Sequence, residues 1–378
     1  EPGRYIEFVR DPAYWGRDLP FNRGQNNIDV IRYEYFADGD VIFEAFRAGE
    51  TSVFREGNPV KWEQNFDFPA VRDGRIVKSE IPHQRPSGME GFVFNTRKPV
   101  FADWRVREAL IQAFNFEFIN QTLNGGVYPR RTSYFSNSFL GMDHGPAEGE
   151  VRALLEPFIG ELLPGALEGY ALPVARDQRN RSGLRKAVKL LDEAGWVVED
   201  GVLRNGDGTP FTFPVTVTSG DHEAIANLWL DSLSQLGIQA NVELLDNAQY
   251  RERRNVYDYD VIVNSWGLSL SPGNEQTLYW GSDGVTAPGT RNYMGMDSAA
   301  AEAMIETMLT ADDQETFVAA VKALDRVLMA GRYVVPFWYS DVSYLAHKAE
   351  LKYPETLPIY GDWIGFLPDV WWIGDAPG

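Results

Sequence analysis

A tryptophan at the end of a short apolar run is the first feature of this chain that suggests chemistry. Residues 261–263 are β-branched, Trp266 follows, and residues 267–274 form a loop of Gly, Ser, Leu, Pro and Asn. An aromatic ring offers a stacking face, and hydroxyl and amide groups offer hydrogen bonds without a fixed charge. This pattern favours binding over bond breaking. The candidate ligand-binding residues of this segment are Asn264, Ser265, Trp266, Gly267, Ser269, Ser271 and Asn274.

A long segment of Gly, Pro, Ser, Thr and Asn, residues 125–146, carries further candidates. Its length without periodicity is typical of a functional or a flexible loop. Arg131 in this loop, and Arg291 further along the chain, are candidates for binding a carboxylate or phosphate in bidentate fashion. Tyr134 is the aromatic candidate of the same loop. A solvated surface position is the alternative interpretation of each arginine.

Residue patterns typical of catalysis are missing from the sequence. The four histidines, His83, His144, His222 and His347, are far apart, and there is no cysteine. No nucleophile elbow, phosphate-binding loop or dinucleotide fingerprint occurs. We therefore predict a protein that is not an enzyme and needs no cofactor or metal. A pair of catalytic carboxylates among the 54 acidic residues remains open, so a secreted hydrolase acting on peptides or glycans is the alternative.

Length and charge limit the class of protein further. The 378 residues exceed what one hydrophobic core usually serves, which predicts two lobes. The formal net charge of −19 argues against nucleic acid or an anionic membrane as partner. No apolar run approaches the roughly 18 residues that a membrane-spanning helix needs.

An α/β sheet is predicted to position the candidate residues. Strands over residues 211–218, 238–244 and 259–264 alternate with helices over residues 224–236 and from Asp246, which the spacing of apolar residues indicates. Strand–helix–strand–helix–strand order predicts parallel pairing with right-handed crossovers. In open α/β sheets ligands bind outside the carboxyl ends of the strands, which is where Trp266 falls.

An ordered set of short motifs carries a resemblance to a known family. The chain resembles the C-terminal part of an extracellular solute-binding protein of family 5, the dipeptide/oligopeptide-binding group that serves ABC importers. Within that family it is most similar to the branch associated with uptake of oligopeptides and microcin C. The motifs that carry the resemblance are residues 10–16 (RDPAYWG), 42–50 (IFEAFRAGE), 94–96 (FNT), 105–110 (RVREAL), 131–138 (RTSYFSNS), 257–276 (YDYDVIVNSWGLSLSPGNEQ) and 333–338 (YVVPFW).

The resemblance implies a type II periplasmic binding protein fold, with two lobes joined by a hinge that close over the ligand. Residues 1–95 are expected to form part of the first lobe, residues 96–339 a complete second lobe, and residues 340–378 a return to the first. Asn95 would lie where the chain passes between the lobes and contact the ligand. The implied function is capture of oligopeptides or peptide-like solutes in an interlobe cleft and delivery to ABC transporter permease subunits, in the periplasm or at the extracellular face of the membrane.

Two departures from the family pattern qualify this expectation. Family members carry on the order of 200 further residues before the position of residues 12–16, so a preceding region, in the same or a separate chain, is expected to complete the first lobe. Many oligopeptide binders place an Asp three residues after the Trp to hold the ligand's α-ammonium, and here that position is Ser269. A receptor for oligosaccharides or muropeptides, in which the aromatic side chains would stack on sugar faces, is a second alternative.

Overall fold

The computed structural model describes residues 3–36, 39–363 and 365–374 of the chain. Local sequence fixes where several helices begin, because a side chain accepts hydrogen bonds from the first free amides. Ser219 caps one helix in this way, and Asp246 caps the next, as its spacing predicts. The described helices are α1 (Gly39–Arg47), α2 (Pro59–Asn65), α3 (Pro69–Arg72), α4 (Trp104–Ala113), α5 (Phe116–Asn124), α6 (Gly149–Leu155), α7 (Arg181–Glu193), α8 (Gly220–Ser234), α9 (Asn247–Asn255), α10 (Glu275–Trp280), α11 (Ala299–Thr310) and α12 (Gln314–Ala330).

The described strands form one five-stranded sheet, one three-stranded sheet and three two-stranded ribbons. They are β1 (Tyr5–Val9), β2 (Val30–Glu34), β3 (Val53–Glu56), β4 (Ile76–Pro82), β5 (Met89–Phe94), β6 (Val197–Glu199), β7 (Val202–Arg204), β8 (Thr212–Val217), β9 (Gln239–Leu244), β10 (Val261–Trp266), β11 (Val334–Pro336), β12 (Val342–Lys348), β13 (Leu351–Lys352) and β14 (Trp372–Ile373).

The chain divides into two compact units. The first comprises Glu1–Arg85 and Ser340–Gly378, and the second is the continuous segment Pro86–Tyr339. The second unit thus begins ten residues before residue 96, where the second lobe is predicted to start, because β5 belongs to its sheet rather than to the preceding segment. All the candidate residues named from the sequence lie in the second unit.

The sheet of the second unit has the strand order β11-β5-β10-β8-β9. Strands β8, β9 and β10 are parallel, as the alternation of strands and helices predicts. Strand β5 pairs antiparallel with β10 on one side and with β11 on the other. The spacing of apolar residues along the chain cannot predict that β5 lies between β10 and β11, since β5 is more than 150 residues away from both strands in sequence.

Both faces of this sheet are covered, which explains the apolar character of its central strands. Along β10, Val261 and Val263 pack on one face with α4 and α8, while Ile262 and Trp266 pack on the other with α11 and α12. The strand extends two residues beyond its predicted end at residue 264, so Trp266 belongs to the strand and not to the loop.

The first unit contains the antiparallel sheet β3-β12-β4. Side chains of Phe46, Trp62, Phe66 and Phe68 pack against it to form an aromatic core. The β1–β2 ribbon of the same unit exposes most of its side chains. Among the described residues, no helix has the length and apolar character required to cross a bilayer.

Candidate functional site

The carboxyl edge of the second unit's sheet gathers several chain segments. Strands β8, β9 and β10 end there at Val217, Leu244 and Trp266, and β5 begins there because it runs antiparallel. Each strand leads into a loop or a helix start, where backbone and side-chain polar groups are free to face a ligand. We call this region the carboxyl edge.

Trp266 ends β10 with its indole buried and its neighbours exposed. Ser265 and Gly267 are exposed, whereas the Trp266 side chain is 2% exposed. Its ring lies 5.1 Å from that of Trp280 and 5.9 Å from that of Tyr293, and its Nε1 donates to the carbonyl of Arg291 at 3.0 Å. The indole is a packing group of this unit, and its predicted stacking on a ligand stays a prediction.

Asn264 and Arg254 form a polar pair beside Trp266. Arg254 Nη1 donates to Asn264 Oδ1 at 3.4 Å, and the guanidinium lies over the rings of Tyr293 and Tyr250, at 4.9 and 5.5 Å. Two buried atoms of this pair, Asn264 Nδ2 and Arg254 Nε, have no hydrogen-bond partner in the described parts of the chain. Burial raises the pKa of Tyr250 to about 12, although Arg254 opposes this, so its hydroxyl remains a donor and bonds to the carbonyl of Val263.

Glu90, Arg131 and His222 form a second polar group on the opposite face of the sheet. Arg131 Nη2 lies 3.3 Å from Glu90 Oε2, and His222 Nε2 lies 3.8 Å from Glu90 Oε1. Burial opposes ionisation of Glu90, but His222 and Arg131 outweigh it and hold the pKa of Glu90 below its ordinary value. Glu90 is therefore a carboxylate at neutral pH. His222 Nδ1 is buried without a hydrogen-bond partner among the described residues.

The predicted anion-binding role of Arg131 competes with its structural contacts. Its guanidinium donates to the carbonyls of Ser87 and Trp338, and its backbone amide donates to the carbonyl of Phe337. Arg131 thus connects the start of β5 to the segment after β11. Arg291 is exposed, and its Nη1 contacts the hydroxyl of Tyr279 at 3.4 Å. Contact of either arginine with a ligand stays a prediction.

The loop after β10 carries the remaining neutral candidates. Ser269 is half-buried, and its Oγ accepts a hydrogen bond from the amide of Ser271 at 3.2 Å. Ser271 is exposed, and so is Asn274, which precedes α10 without capping it through its side chain. All three residues belong to the segment that follows β10 at the carboxyl edge, and their contact with a ligand stays a prediction.

Two candidates lie elsewhere in the second unit. Asn95 follows β5 at the opposite edge, and the two ends of this six-residue strand are roughly 17 Å apart. Its buried Nδ2 donates to the carbonyls of Tyr257 and Tyr259, at 3.1 and 2.8 Å, and so fixes the segment before β10. Tyr134 is fully buried and packs edge-on against Trp280 at 5.2 Å. The structure does not bring Asn95 together with Trp266, and the ligand-binding roles of both residues stay predictions.

Sequence reasoning missed Glu90, His222 and Arg254. A signal was present for Glu90, since a lone acidic residue in the apolar strand Met89–Phe94 has no packing role. His222 lies in the first turn of α8, directly after β8, a position at which ligand contacts are common in α/β folds. Among the described residues there is no group of three or more metal-ligating side chains that could hold an ion.

The family model for bacterial extracellular solute-binding proteins, family 5 Middle, matches residues 1–287. This match covers more than half of the chain. The chain belongs to this family. Membership confirms the predicted resemblance at the family level, and it confirms the prediction of a binding protein rather than an enzyme.

Several relatives match nearly the whole chain. An uncharacterised protein of Sinorhizobium fredii, y4wM, is 42% identical over 381 residues, which cover 99% of this chain and 57% of the relative. The peptidoglycan-binding protein YepA of Agrobacterium fabrum is 37% identical over 383 residues, covering 98% of this chain and 61% of the relative. The chain therefore spans about 60% of the length of the relatives that it matches.

Solved structures confirm the predicted periplasmic binding protein fold. The oligopeptide-binding protein AppA of Bacillus subtilis, in complex with a nonapeptide, has a TM-score of 0.71 at 18% identity, over 99% of this chain and 65% of AppA. NikZ of Campylobacter jejuni, in complex with Ni(L-His), has a TM-score of 0.70 at 14% identity, over 96% of this chain and 65% of NikZ. Two such different ligands on one fold mean that the fold does not identify the ligand.

Proposed function

We propose that this chain is the major part of a solute-binding protein that captures oligopeptides or peptide-like solutes for an ABC importer, with the carboxyl edge as one wall of the site. The observation that carries the proposal is that both faces of the sheet have buried polar atoms there without partners among the described residues: Asn264 Nδ2 and Arg254 Nε on one face, and His222 Nδ1 on the other. Buried polar atoms are nearly always hydrogen-bonded. A ligand with carbonyl, carboxylate and amide groups supplies the missing partners.

The strand end of β10 supports a ligand of peptide character. Ser265 and Gly267 are exposed on either side of the buried Trp266, so their backbone groups are accessible to an extended chain. Pairing with backbone groups provides affinity for peptides of many sequences. The hydroxyls and amide of Ser269, Ser271 and Asn274 add neutral hydrogen bonds, and Arg291 adds a positive charge nearby.

The setting proposed for this activity follows from family membership. We propose that the whole protein delivers the solute to permease subunits and resides in the periplasm or at the extracellular face of the membrane. This chain corresponds to about 60% of the length of its relatives. The closer similarity of this chain to the branch associated with uptake of oligopeptides and microcin C also remains a prediction.

Peptidoglycan-derived peptides are a second candidate class of ligand. The observation that favours them is the relative YepA, named as peptidoglycan-binding, at 37% identity over 98% of this chain. Such fragments combine a peptide with sugar rings, and they match an edge that offers both backbone groups and neutral hydroxyls.

Native mass spectrometry of the purified chain tests both candidates. We expect retention of masses from a pool of synthetic tri- to pentapeptides, or from a soluble digest of peptidoglycan, without any change in the mass of the ligand. Asn264→Leu removes the unpartnered donor and is expected to reduce retention about tenfold. Asn255→Leu, at an exposed position on α9, is the matched control. Failure to retain either pool would overturn the proposal, and cleavage of the ligand would favour the hydrolase alternative.

A further inference from the structure

Glu90 is a carboxylate in a position where packing does not require one. It is the second residue of β5, between Met89 and Gly91, and its side chain is 31% exposed. Phe92 and Phe94, which lie on the same face of the strand, are completely buried in the apolar core. A charged side chain at the exposed end of such a strand contributes to the carboxyl edge and not to the core.

One oxygen of Glu90 has unused hydrogen-bonding capacity. Oε2 accepts from Arg131 Nη2 at 3.3 Å. Oε1 is 3.8 Å from His222 Nε2, which is beyond hydrogen-bonding range. Arg131 is largely committed to the carbonyls of Ser87 and Trp338, so the carboxylate is incompletely neutralised on the side of Oε1.

Strand register places this carboxylate beside the proposed peptide-binding strand. Glu90 and Ser265 are directly opposite each other in the β5–β10 ladder, and Ser265 is exposed. The loop after β10, residues 267–274, carries no acidic residue. A cationic group bound at the end of β10 therefore meets a negative charge from β5 and not from the loop.

We propose that Glu90 holds the free α-ammonium of a peptide-like ligand and so makes the site select ligands with an unblocked amino terminus. This inference rests on the proposed function. A carboxylate that accepts hydrogen bonds from an ammonium forms a charge-assisted contact, which is roughly twice as strong as a neutral one. Acetylation of the ligand removes both the charge and two of the three donors. Glu90 is thus a specificity-determining residue.

Paired peptide pools test this assignment. The probes are synthetic tri- to pentapeptides with free amino termini and the same peptides N-acetylated, competed against each other and read by native mass spectrometry. Wild-type protein is expected to prefer the free peptides by about tenfold or more. Glu90→Gln, which keeps the shape and an acceptor for Arg131, is expected to abolish that preference, and Glu90→Asp to retain part of it. Glu199→Gln, the same charge change on exposed β6, is the control and keeps the full preference.

The outcomes separate this inference from the proposed function. If wild-type protein retains both pools equally, or if Glu90→Gln discriminates as wild type does, Glu90 does not anchor an ammonium while the peptide-binding function stands. If wild-type protein retains neither pool, the proposed function fails and this inference fails with it. Equal melting temperatures of the variants exclude unfolding as the cause of a lost preference.

Discussion

The carbonyl oxygen of Trp266 lies 2.0 Å from the position that a Cβ atom on Gly88 would occupy. Gly88 also adopts a φ of +63°, in a region that favours glycine. Only a residue without a side chain allows the backbone before β5 to approach the end of β10 this closely. The contact therefore sets the relative position of the two strands that carry Glu90 and Ser265.

Gly88→Ala is expected to lower the free energy of unfolding by more than about 2 kcal/mol. The new Cβ atom would force the backbone at Trp266 to move, and alanine is unfavourable at the positive φ of residue 88. Gly195→Ala is the matched control, since Gly195 has a φ of +85° and a Cβ atom there would meet no atom of the described residues within 4 Å. Gly195→Ala is expected to lower the free energy of unfolding by only about 1 kcal/mol, the cost of placing alanine at a positive φ. Urea denaturation measures both, and equal losses would argue against the close approach.

Trp266→Ala is expected to lower the free energy of unfolding by about 3–5 kcal/mol, because the indole is enclosed by Trp280 and Tyr293 and leaves a cavity. Trp15→Ala, at a position where the side chain is 82% exposed, is expected to leave the stability nearly unchanged. Chemical denaturation compares the two variants. A stable Trp266→Ala protein would show that the ring is not part of the core.

A buried ion pair joins Arg332 to Glu108. Arg332 Nε lies 2.7 Å from Glu108 Oε2, with the side chains 6% and 9% exposed, and Tyr170 donates to the same oxygen at 2.7 Å. Glu108→Ala leaves a buried guanidinium without its counter-ion and is expected to cost about 3–5 kcal/mol of stability. Glu193→Ala, which removes half of the exposed pair with Lys189, is expected to change stability little. Similar losses from both variants in urea denaturation would contradict this ranking.

The buried carboxyl of Asp325 gives the stability a pH dependence. Burial raises its pKa to about 6 from an ordinary 3.8, although Ser133, Tyr134 and Met142 donate hydrogen bonds to it. Since the folded state binds this proton more tightly, the group's stabilising contribution is complete below about pH 4 and is lost as the pH rises through about 6.

Asp325→Asn cannot ionise, so its stability relative to wild type is expected to increase between pH 5 and pH 7.5, by about 1–3 kcal/mol. Any lost hydrogen bond lowers the stability of the variant equally at both pH values and does not affect this difference. Denaturation at the two pH values measures it, with the exposed Asp312→Asn as the control substitution. A constant difference between Asp325→Asn and wild type would show that Asp325 does not titrate in this range.

Periodic apolar patterns predicted much of the second unit correctly. The strands predicted at residues 211–218 and 238–244 are β8 and β9, and the helix that Asp246 begins is α9. These elements are readable because each buries one face, which fixes the spacing of its apolar residues, and because the caps are local. The predicted α/β fold class and parallel pairing follow from the order of the elements.

The position of polar side chains was less predictable. Asn95 follows β5 and Trp266 is the last residue of β10, yet the two lie at opposite ends of the sheet because β5 is antiparallel to β10. Glu90 could not be distinguished by residue type, because it is one of 54 acidic residues in the sequence. Its significance depends on pairing with Ser265 and on the proximity of Arg131, and neither follows from nearby sequence.

The sequence by itself determined the family, the fold class and the strand end at which a binding site is expected, since local periodicity and ordered motifs contain that information. Only the tertiary structure decided that Trp266 packs inward while Glu90, Arg254 and His222 reach the carboxyl edge. The physical reason is that strand direction and register are set by long-range hydrogen-bonded pairing, which assigns each side chain to a face and an edge.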